Sequence, residues 1–228
     1  MEQGTLSVVG TPIGNLADIT LRALDTLRQA DVIACEDTRV TAKLLARYEI
    51  ERSLLIFHAQ SGRVATNRIL SLLAEGKHVA LVTDAGTPGI SDPGTELVRE
   101  VRERLGDEVR IQSIPGPAAI TAAISIAGLR THEFVFLGFL PHKKGRQTLF
   151  KEIAESERAM VFYESPHRIE KALESLAEVL DEDRVVAVAR ELTKLHESFV
   201  EGSAVSVRDY FKEHPDQVRG EFVVIVAP

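Results

Sequence analysis

Apolar residues in the first half of the chain follow two alternating patterns. Short apolar runs predict strands, and between them apolar residues recur at spacings of three and four, as at Leu21, Leu24 and Leu27, which predicts helices. The predicted strands cover residues 5–9, 32–35, 54–57, 79–83 and 110–114. This alternation indicates a mostly parallel sheet covered by helices.

Helix start and stop residues agree with these segments. Thr20 and Thr95 are predicted to cap the first and fourth helices, because a threonine hydroxyl can accept from the free amides of a first turn. Gly76 and Gly106 are predicted to lie just past helix ends, where glycine is favoured.

A helix of small apolar residues separates this series from a second one. We predict that it begins at Pro117, runs to about Ala127 and ends at Gly128. The second series has predicted strands at 134–138, 159–163, 185–189, 198–202 and 222–226, and predicted helices at 147–155, 168–180 and 207–213. Two of its strands follow each other without a helix, which predicts a mixed sheet. We therefore predict two α/β domains, at 1–116 and 134–228, joined by a linking helix and connector at 117–133.

Composition narrows the class of protein. The chain has 228 residues, 44% of them hydrophobic, which is enough for two cores of ordinary size. Its one cysteine, Cys35, excludes an internal disulfide and is predicted to be buried and inert. The seven histidines have no metal-ligand spacing, so no metal site is expected. No apolar run approaches the roughly 20 residues of a membrane span and no secretory signal is recognisable, so we expect a cytoplasmic protein.

The charge distribution bears on nucleic-acid binding. A net charge of −7 argues against a protein that coats nucleic acid, since non-specific affinity comes mostly from phosphate neutralisation. An RNA substrate must therefore meet a local basic patch, and residues 129–151 are the best candidate. Their basic residues are Arg130, Lys143, Lys144, Arg146 and Lys151, opposed only by Glu133. The same charges also suit a solvated loop and helix face.

Three Gly/Pro-rich turns follow predicted strands, at 8–15, 81–94 and 114–120. In an α/β sheet such turns lie at the carboxyl ends of strands, where ligands bind. Neither GxxxxGK[ST] nor a GxGxxG after the first strand is present, which argues against a P-loop enzyme or a dinucleotide dehydrogenase. Proline also removes amide donors that a phosphate needs, so these turns suit a cation or an uncharged nucleoside better than a polyphosphate.

Seven segments, in order along nearly the whole chain, carry a resemblance to a known family. They are GTPIGNLADIT (10–20), EDTR (36–39), DAGTPGISDPG (84–94), IPGPAA (114–119), GFLP (138–141), YESPHR (163–168) and RELTK (190–194). The chain resembles the tetrapyrrole methylase superfamily of S-adenosylmethionine-dependent methyltransferases. Within it, the chain is most similar to the branch that methylates the ribose 2′-hydroxyl of a cytidine in 16S rRNA.

The resemblance implies a fold, a cofactor and partners. It implies two α/β domains with S-adenosylmethionine in the cleft between them, a homodimer, and 16S rRNA within the 30S subunit as substrate. The implied cofactor contacts are Pro12, Asp84, Thr87, Ala119, Ile120, Tyr163 and Ala189. Asp84 is a reasonable neighbour for a positively charged sulfonium, and it could also close a local turn.

Methyl transfer to a ribose hydroxyl also needs a group that takes or orients its proton. Asp37 and Glu164 follow strands and are the predicted acceptors, although Asp37 could instead cap a helix and pair with Arg39. The predicted RNA contacts are Arg39, Lys143, Lys144, Arg146, Arg168, Arg190 and Lys194. An exposed ion-pair set is the alternative for Arg190 and Lys194.

Three functions follow from these observations. The first is 2′-O-methylation of a decoding-site cytidine in the assembled small ribosomal subunit. The second keeps methyl transfer but has a tetrapyrrole ring carbon or a protein histidine as acceptor. The third is a nucleoside-binding or ribosome-associated protein without turnover. The EDTR, YESPHR and RELTK segments favour the first.

Overall fold

A computed structural model describes residues 3–58 and 62–228. The chain divides into two compact units, Met1–Ala118 and Ala119–Pro228. The helix predicted to link the domains lies in the second unit, and the proposed division into 1–116, 117–133 and 134–228 stays a prediction.

The first unit alternates strands and helices throughout. Its strands are β1 (Gly4–Val9), β2 (Val32–Cys35), β3 (Ser53–Ile56), β4 (His78–Leu81) and β5 (Val109–Ile114). Its helices are α1 (Leu21–Gln29), α2 (Thr38–Arg47), α3 (Gly62–Ala74) and α4 (Gly94–Leu105). Strand order is β3-β2-β4-β1-β5 with every pairing parallel, which confirms the predicted parallel sheet.

Helices cover both faces of this sheet. One core cluster joins α1 and α2 to Val9, Ile33 and Val82, and the other joins α3 and α4 to Leu6 and Ala34. Neighbouring strand residues such as Ile33 and Ala34 fall in different clusters, because successive side chains of a strand point to opposite faces. Because the five strands are parallel, their carboxyl ends lie at one edge of the sheet, the carboxyl edge.

The predicted caps and end glycines are confirmed except at the start of α4. The predicted start of the linking helix at Pro117 was also wrong, since that helix begins at Ala119 and the Pro117 carbonyl accepts from the Thr87 hydroxyl instead. The Thr20 hydroxyl accepts from the amide of Ala23 at 3.1 Å, and Gly76 and Gly106 have positive φ of 82° and 50° just past α3 and α4. Thr95 does not cap α4, so that prediction was wrong. The helix already begins at Gly94, and the Thr95 hydroxyl donates to the Gly89 carbonyl instead.

The second unit contains a mixed sheet, as predicted. Its strands are β6 (Phe134–Phe139), β7 (Ala159–Glu164), β8 (Val185–Arg190), β9 (Ser198–Ser203) and β10 (Phe222–Val226). Its helices are α5 (Ala119–Ala127), α6 (Arg146–Glu155), α7 (Ile169–Val179) and α8 (Ala204–Glu213). The order is β6-β7-β10-β8-β9, in which only the β6–β7 pairing is parallel. Residues of α6, α7 and α8 pack in one core against Phe162, Val188 and Val224.

Two negative findings concern the described part of the chain. Over residues 3–58 and 62–228, no helix is long and apolar enough to span a membrane. Within the same residues, no group of three or more His, Cys, Asp or Glu is arranged to hold a metal ion. Cys35 is fully buried, and burial raises the pKa of its thiol, as expected of an inert cysteine.

A buried polar network crosses the first sheet. The His78 Nε2 lies 2.7 Å from the Ser7 hydroxyl, which also accepts from the Gln112 side-chain amide at 2.8 Å. Desolvation lowers the pKa of His78 below its ordinary value of 6.5. The folded state therefore binds this proton more weakly than the unfolded chain does.

This network predicts an acid-sensitive contribution to stability. Because the pKa of His78 is lower in the folded state, its contribution is present above pH 6.5 and is lost as pH falls through the folded pKa. We expect the urea midpoint of the native chain to fall between pH 7.5 and pH 5.5 more steeply than that of His78→Gln. Equal slopes for the two proteins would contradict the assignment.

Candidate active site

Two glycines bring the loops after β1 and β5 into backbone contact. A Cβ atom built on Gly10 would lie 2.7 Å from the Gly116 Cα and 2.8 Å from its nitrogen, closer than real Cβ atoms approach. The Gly10 amide donates to the Ile114 carbonyl at 3.0 Å. Only glycine permits this approach, so the Gly/Pro turns seen in the sequence do build one edge of the first sheet.

Thr11 ties the loop after β1 to the loop after β4. Its backbone pairs with Gly86 in both directions, at 2.8 and 3.2 Å, and its buried hydroxyl donates to the Thr83 carbonyl at 3.1 Å. The Thr87 hydroxyl donates to the Pro117 carbonyl at 3.0 Å. Three loops at the carboxyl edge are thereby fixed to one another.

The predicted cofactor residues of the first unit all lie in these loops. Pro12 is buried directly after Thr11, Thr87 is half-buried, and Asp84 is exposed at the end of β4. The structure brings these residues to one edge, as expected for the ends of parallel strands. Thr11 was not among the predicted residues, because a threonine in a turn carries no signal of its distant partners.

Asp92 holds the long loop after β4 in its shape. Its two carboxylate oxygens accept from the amides of Gly89 at 2.7 Å and Gly94 at 2.6 Å. Between them Ser91 has a φ of 64°, a left-handed conformation that is uncommon outside glycine. Asp92 is a site residue that the sequence analysis missed, although its spacing within the DAGTPGISDPG segment is a recognisable signal.

The loop after β2 is bonded to the end of β4. The Thr83 hydroxyl donates to the Glu36 carboxylate, and the Asp37 amide donates to Asp84 Oδ1 at 3.0 Å. Asp84 therefore joins two loops that are distant in the sequence, a contact different from the local turn considered as the alternative to cofactor binding. Its other carboxylate oxygen accepts no hydrogen bond among the described residues, so both roles are compatible.

Asp37 acts as the cap of α2. Its carboxylate accepts from the Arg39 amide at 2.8 Å and pairs with the Arg39 guanidinium at 2.6 Å, which confirms the structural alternative stated for both residues. The hydrogen bond from Arg39 lowers the pKa of Asp37 to about 2. Such a carboxylate is a weak base at neutral pH. The Arg39 side chain is 86% exposed and is therefore accessible to a ligand.

The four predicted cofactor residues of the second unit are associated with α5 and the sheet. Ala119 begins α5, and the Ile120 amide donates to the Tyr163 hydroxyl at 3.1 Å. Val223 of β10 is in register with both Tyr163 and Ala189, so the three side chains share one face of the sheet. Burial raises the pKa of the Tyr163 hydroxyl, which keeps it a neutral donor and acceptor.

Glu164 is buried between two arginines. Its Oε1 accepts from Arg168 Nε at 2.6 Å and from the Ser165 amide at 2.8 Å. Its Oε2 lies 3.5 Å from Arg146 Nη1 and accepts no hydrogen bond. The Glu164 side chain is 0% exposed, so the reacting group of a ligand cannot reach it in this conformation.

The remaining predicted RNA contacts differ in exposure. Lys143 and Lys144 are exposed in the turn before α6 and form no ion pair with a described residue.

Arg190 is buried and donates to the carbonyls of Arg219 and His196, at 2.8 and 3.1 Å. Lys194 is half-buried and pairs with Glu191 and Glu221, at 2.8 and 2.9 Å. The ion-pair alternative is confirmed for Lys194. Arg190 instead forms hydrogen bonds with backbone carbonyls.

Comparison with known proteins now identifies the family. Residues 5–207 match the family model described as Tetrapyrrole (Corrin/Porphyrin) Methylases. The chain belongs to this family. The tetrapyrrole methylase resemblance is thus confirmed, and the chain is a methyltransferase that uses a methyl donor.

Similar members of the family include proteins named ribosomal RNA small subunit methyltransferase I. The chain is 46% identical to that of Thermotoga maritima over 224 residues, which cover 98% of both chains. It is 45% identical to that of Escherichia coli O157:H7 over 225 residues, which cover 98% of this chain and 78% of the relative.

Solved structures of tetrapyrrole methylases share the fold. The methyltransferase CobJ matches with a TM-score of 0.70 and 22% identity, over 98% of this chain and 94% of that one. Uroporphyrin-III-C-methyltransferase from Thermus thermophilus matches with a TM-score of 0.67 and 19% identity, over the same shares. This likeness confirms two α/β domains of the tetrapyrrole methylase type.

Proposed function

We propose that this methyltransferase transfers a methyl group from S-adenosylmethionine to the 2′-hydroxyl of a decoding-site cytidine in 16S rRNA, acting on the 30S subunit. The observation that carries the proposal is 42–46% identity, over at least 98% of the chain, to several proteins named ribosomal RNA small subunit methyltransferase I. A cytoplasmic location and a homodimer belong to the same proposal. The first follows from the substrate, and the second from the family resemblance.

The loops of the first unit fit such a donor. S-adenosylmethionine supplies an activated methyl group carried on a positively charged sulfur. The chain offers an exposed carboxylate at Asp84, and the backbone contact between Gly10 and Gly116 fixes the loops after β1 and β5 to each other. Pro12 and Thr87 flank these groups. Carboxylate and carbonyl oxygens suit a cation, and the fixed loops present them without rearrangement.

The second unit is proposed to hold the nucleoside part of the donor and the RNA. Ala119 and Tyr163 are half-buried beside the buried Ile120 and Ala189, and the Tyr163 hydroxyl accepts from the Ile120 amide. The proposed phosphate contacts are Arg39, Lys143, Lys144, Arg146 and Arg168. Arg190 and Lys194 instead bond carbonyls and carboxylates in two places, the loop between β8 and β9 and the segment just before β10.

In this proposal Asp37 and Glu164 have supporting roles. Asp37 is held by Arg39 with a pKa of about 2, and Glu164 is enclosed by two guanidinium groups. A general base must lie within hydrogen-bond reach of the proton that it takes. Because Asp37 is already ion-paired and Glu164 is enclosed, we assign the main part of the rate enhancement to alignment of acceptor and donor.

Asp37→Asn tests this assignment. Asparagine is also a good helix cap, so the variant should fold, while Arg39 loses its charged partner. We expect the single-turnover rate at saturating substrate to fall by no more than about threefold, whereas removal of a general base costs roughly a hundredfold or more. A loss of that larger size at an unchanged melting temperature would restore Asp37 as the proton acceptor.

The function itself is tested by transfer of labelled methyl groups from S-adenosylmethionine to unmodified 30S subunits and to bare 16S rRNA. Nucleoside mass analysis should find 2′-O-methylcytidine on the subunits. If protein shown by calorimetry to bind the donor labels neither substrate, the rRNA proposal fails. That result would favour a different acceptor or a binding protein without turnover.

A further inference from the structure

We propose that Glu164 is a positioning residue that holds Arg146 and Arg168 as a paired guanidinium site for a phosphate of the substrate RNA. This inference rests on the proposed function and specifies how one part of the RNA is bound. It assigns to Glu164 a part in binding, where the sequence suggested proton transfer.

The two carboxylate oxygens of Glu164 face different arginines. One Glu164 oxygen accepts from Arg168 Nε at 2.6 Å, and the other faces Arg146 Nη1 at 3.5 Å. The carboxylate has no exposed surface, whereas the two arginine side chains remain 16% and 14% exposed. The guanidinium groups, not the carboxylate, are therefore the part of this cluster that a ligand can meet.

Backbone carbonyls fix the orientation of both arginines. Arg168 Nη1 donates to the Leu140 carbonyl at 2.9 Å, and Arg146 Nη1 donates to the Pro141 carbonyl at 3.2 Å. The Arg146 guanidinium also lies over the Phe150 ring, 5.1 Å from its centroid. Side chains that are already ordered lose little entropy on binding, so this arrangement favours a ligand that needs fixed donors.

The cluster of Glu164, Arg146 and Arg168 has an excess of positive charge, which favours an anionic ligand. Two guanidinium groups face one carboxylate, which gives a net charge of +1 in a largely buried position. Among the described residues, no acceptor is bonded to Arg168 Nη2 or to Nε and Nη2 of Arg146. Guanidinium edges of this kind match the oxygens of a phosphate.

The N-termini of two helices add to the positive electrostatic potential of this cluster. Arg146 is the first residue of α6 and Arg168 is the N-cap of α7, and neither helix has a side-chain cap. The free amides of a first turn carry partial positive charge and favour an anion. Arginines and helix ends together make this edge of the second sheet locally positive, within a chain whose net charge is −7.

Glu164→Gln tests the proposal, since glutamine keeps the shape but cannot hold two guanidinium groups by charge. We expect the KM for 30S subunits to rise by about tenfold and the slope of log affinity against log salt to fall by about one, as for loss of a phosphate contact. The value of kcat, its pH profile and the donor affinity should stay close to those of the native enzyme.

A second variant keeps the test decisive if Glu164→Gln folds poorly. Arg168→Lys keeps the charge but loses the planar fork, and it should also raise KM with little change in kcat. Arg184→Met is the structural control, because Arg184 is likewise half-buried and donates to the Ala227 and Ala154 carbonyls without any carboxylate. It should lower the melting temperature and leave the salt slope unchanged.

Several outcomes would overturn the proposal. A fall in kcat of a hundredfold or more at unchanged KM would make Glu164 the proton acceptor. An unchanged salt slope in Glu164→Gln would reduce Glu164 to a structural residue. Fluorescence anisotropy measures binding of 30S subunits by the native protein directly. If the native protein binds the donor but no RNA, the proposed function is wrong, and the proposed phosphate site is wrong with it.

Discussion

Gly10→Ala should weaken donor binding while leaving most of the fold in place. The added methyl group would lie 2.7 Å from the Gly116 Cα and 3.2 Å from the Thr87 hydroxyl oxygen. Because the nearest atoms belong to backbone, no side-chain rotation relieves the clash. The loops after β1 and β5 must separate, at a cost of about 1–3 kcal/mol. We expect the affinity for S-adenosylmethionine to fall at least about tenfold, which corresponds to about 1.4 kcal/mol.

Calorimetric titration of the donor measures this effect, and Gly128→Ala supplies the control. Gly128 has a positive φ of 64°, and a Cβ there would meet no atom within 4 Å. Its replacement should cost about 1 kcal/mol of stability from backbone strain alone. Native affinity in Gly10→Ala would show that the contact between these loops does not shape the donor site.

Asp92→Asn should open the loop after β4. The aspartate accepts from two amides with its two oxygens, at 2.7 and 2.6 Å, whereas an asparagine has one acceptor oxygen and turns its NH₂ toward the other amide. A hydrogen bond to a charged group contributes about 1.5–3 kcal/mol, so the folded loop should lose most of one such contribution. The left-handed Ser91 then loses the contacts that hold it.

We expect about a tenfold loss of donor affinity in Asp92→Asn, because the loop carries Asp84 and Thr87 at its start. Asp25→Asn is a matched control, since Asp25 lies exposed on α1 and forms a surface pair with Arg28 at 3.2 Å. Such pairs contribute less than about 1 kcal/mol. Equal donor affinities in the two variants would contradict a role for the Asp92 bonds in binding.

Apolar runs predicted the strands well for a physical reason. Val32–Cys35 and Phe222–Val226 were predicted with the observed ends, since a strand covered on both faces is apolar throughout and is bounded by polar residues. The Thr95 cap failed because Gly94 can itself enter the helix, which moves the start by one residue. Local residue types therefore located most element ends to within two residues, although the helix predicted at 207–213 begins three residues earlier, at Ala204.

The candidate site was predictable in position and less so in role. The carboxyl ends of parallel strands must meet, so Asp84 and Thr87 could be assigned to one edge from their place after β4. The role of Glu164 could not be derived from the sequence, because Arg146 is 18 residues distant and reaches it only through the pairing of β6 with β7. The hydrogen-bonded network of His78, Ser7 and Gln112 likewise could not be predicted, because it depends on the register of β1 with β4 and β5.

The central position of β10 has a consequence for synthesis on the ribosome. Phe222–Val226 pairs with β7 on one side and β8 on the other, yet it is made after every other strand of its sheet. Until it leaves the exit tunnel, β7 and β8 both present unpaired apolar edges, which favour association with other chains. The first unit completes its sheet with β5, before any strand of the second sheet is made, so unpaired strand edges persist longer in the second unit during synthesis.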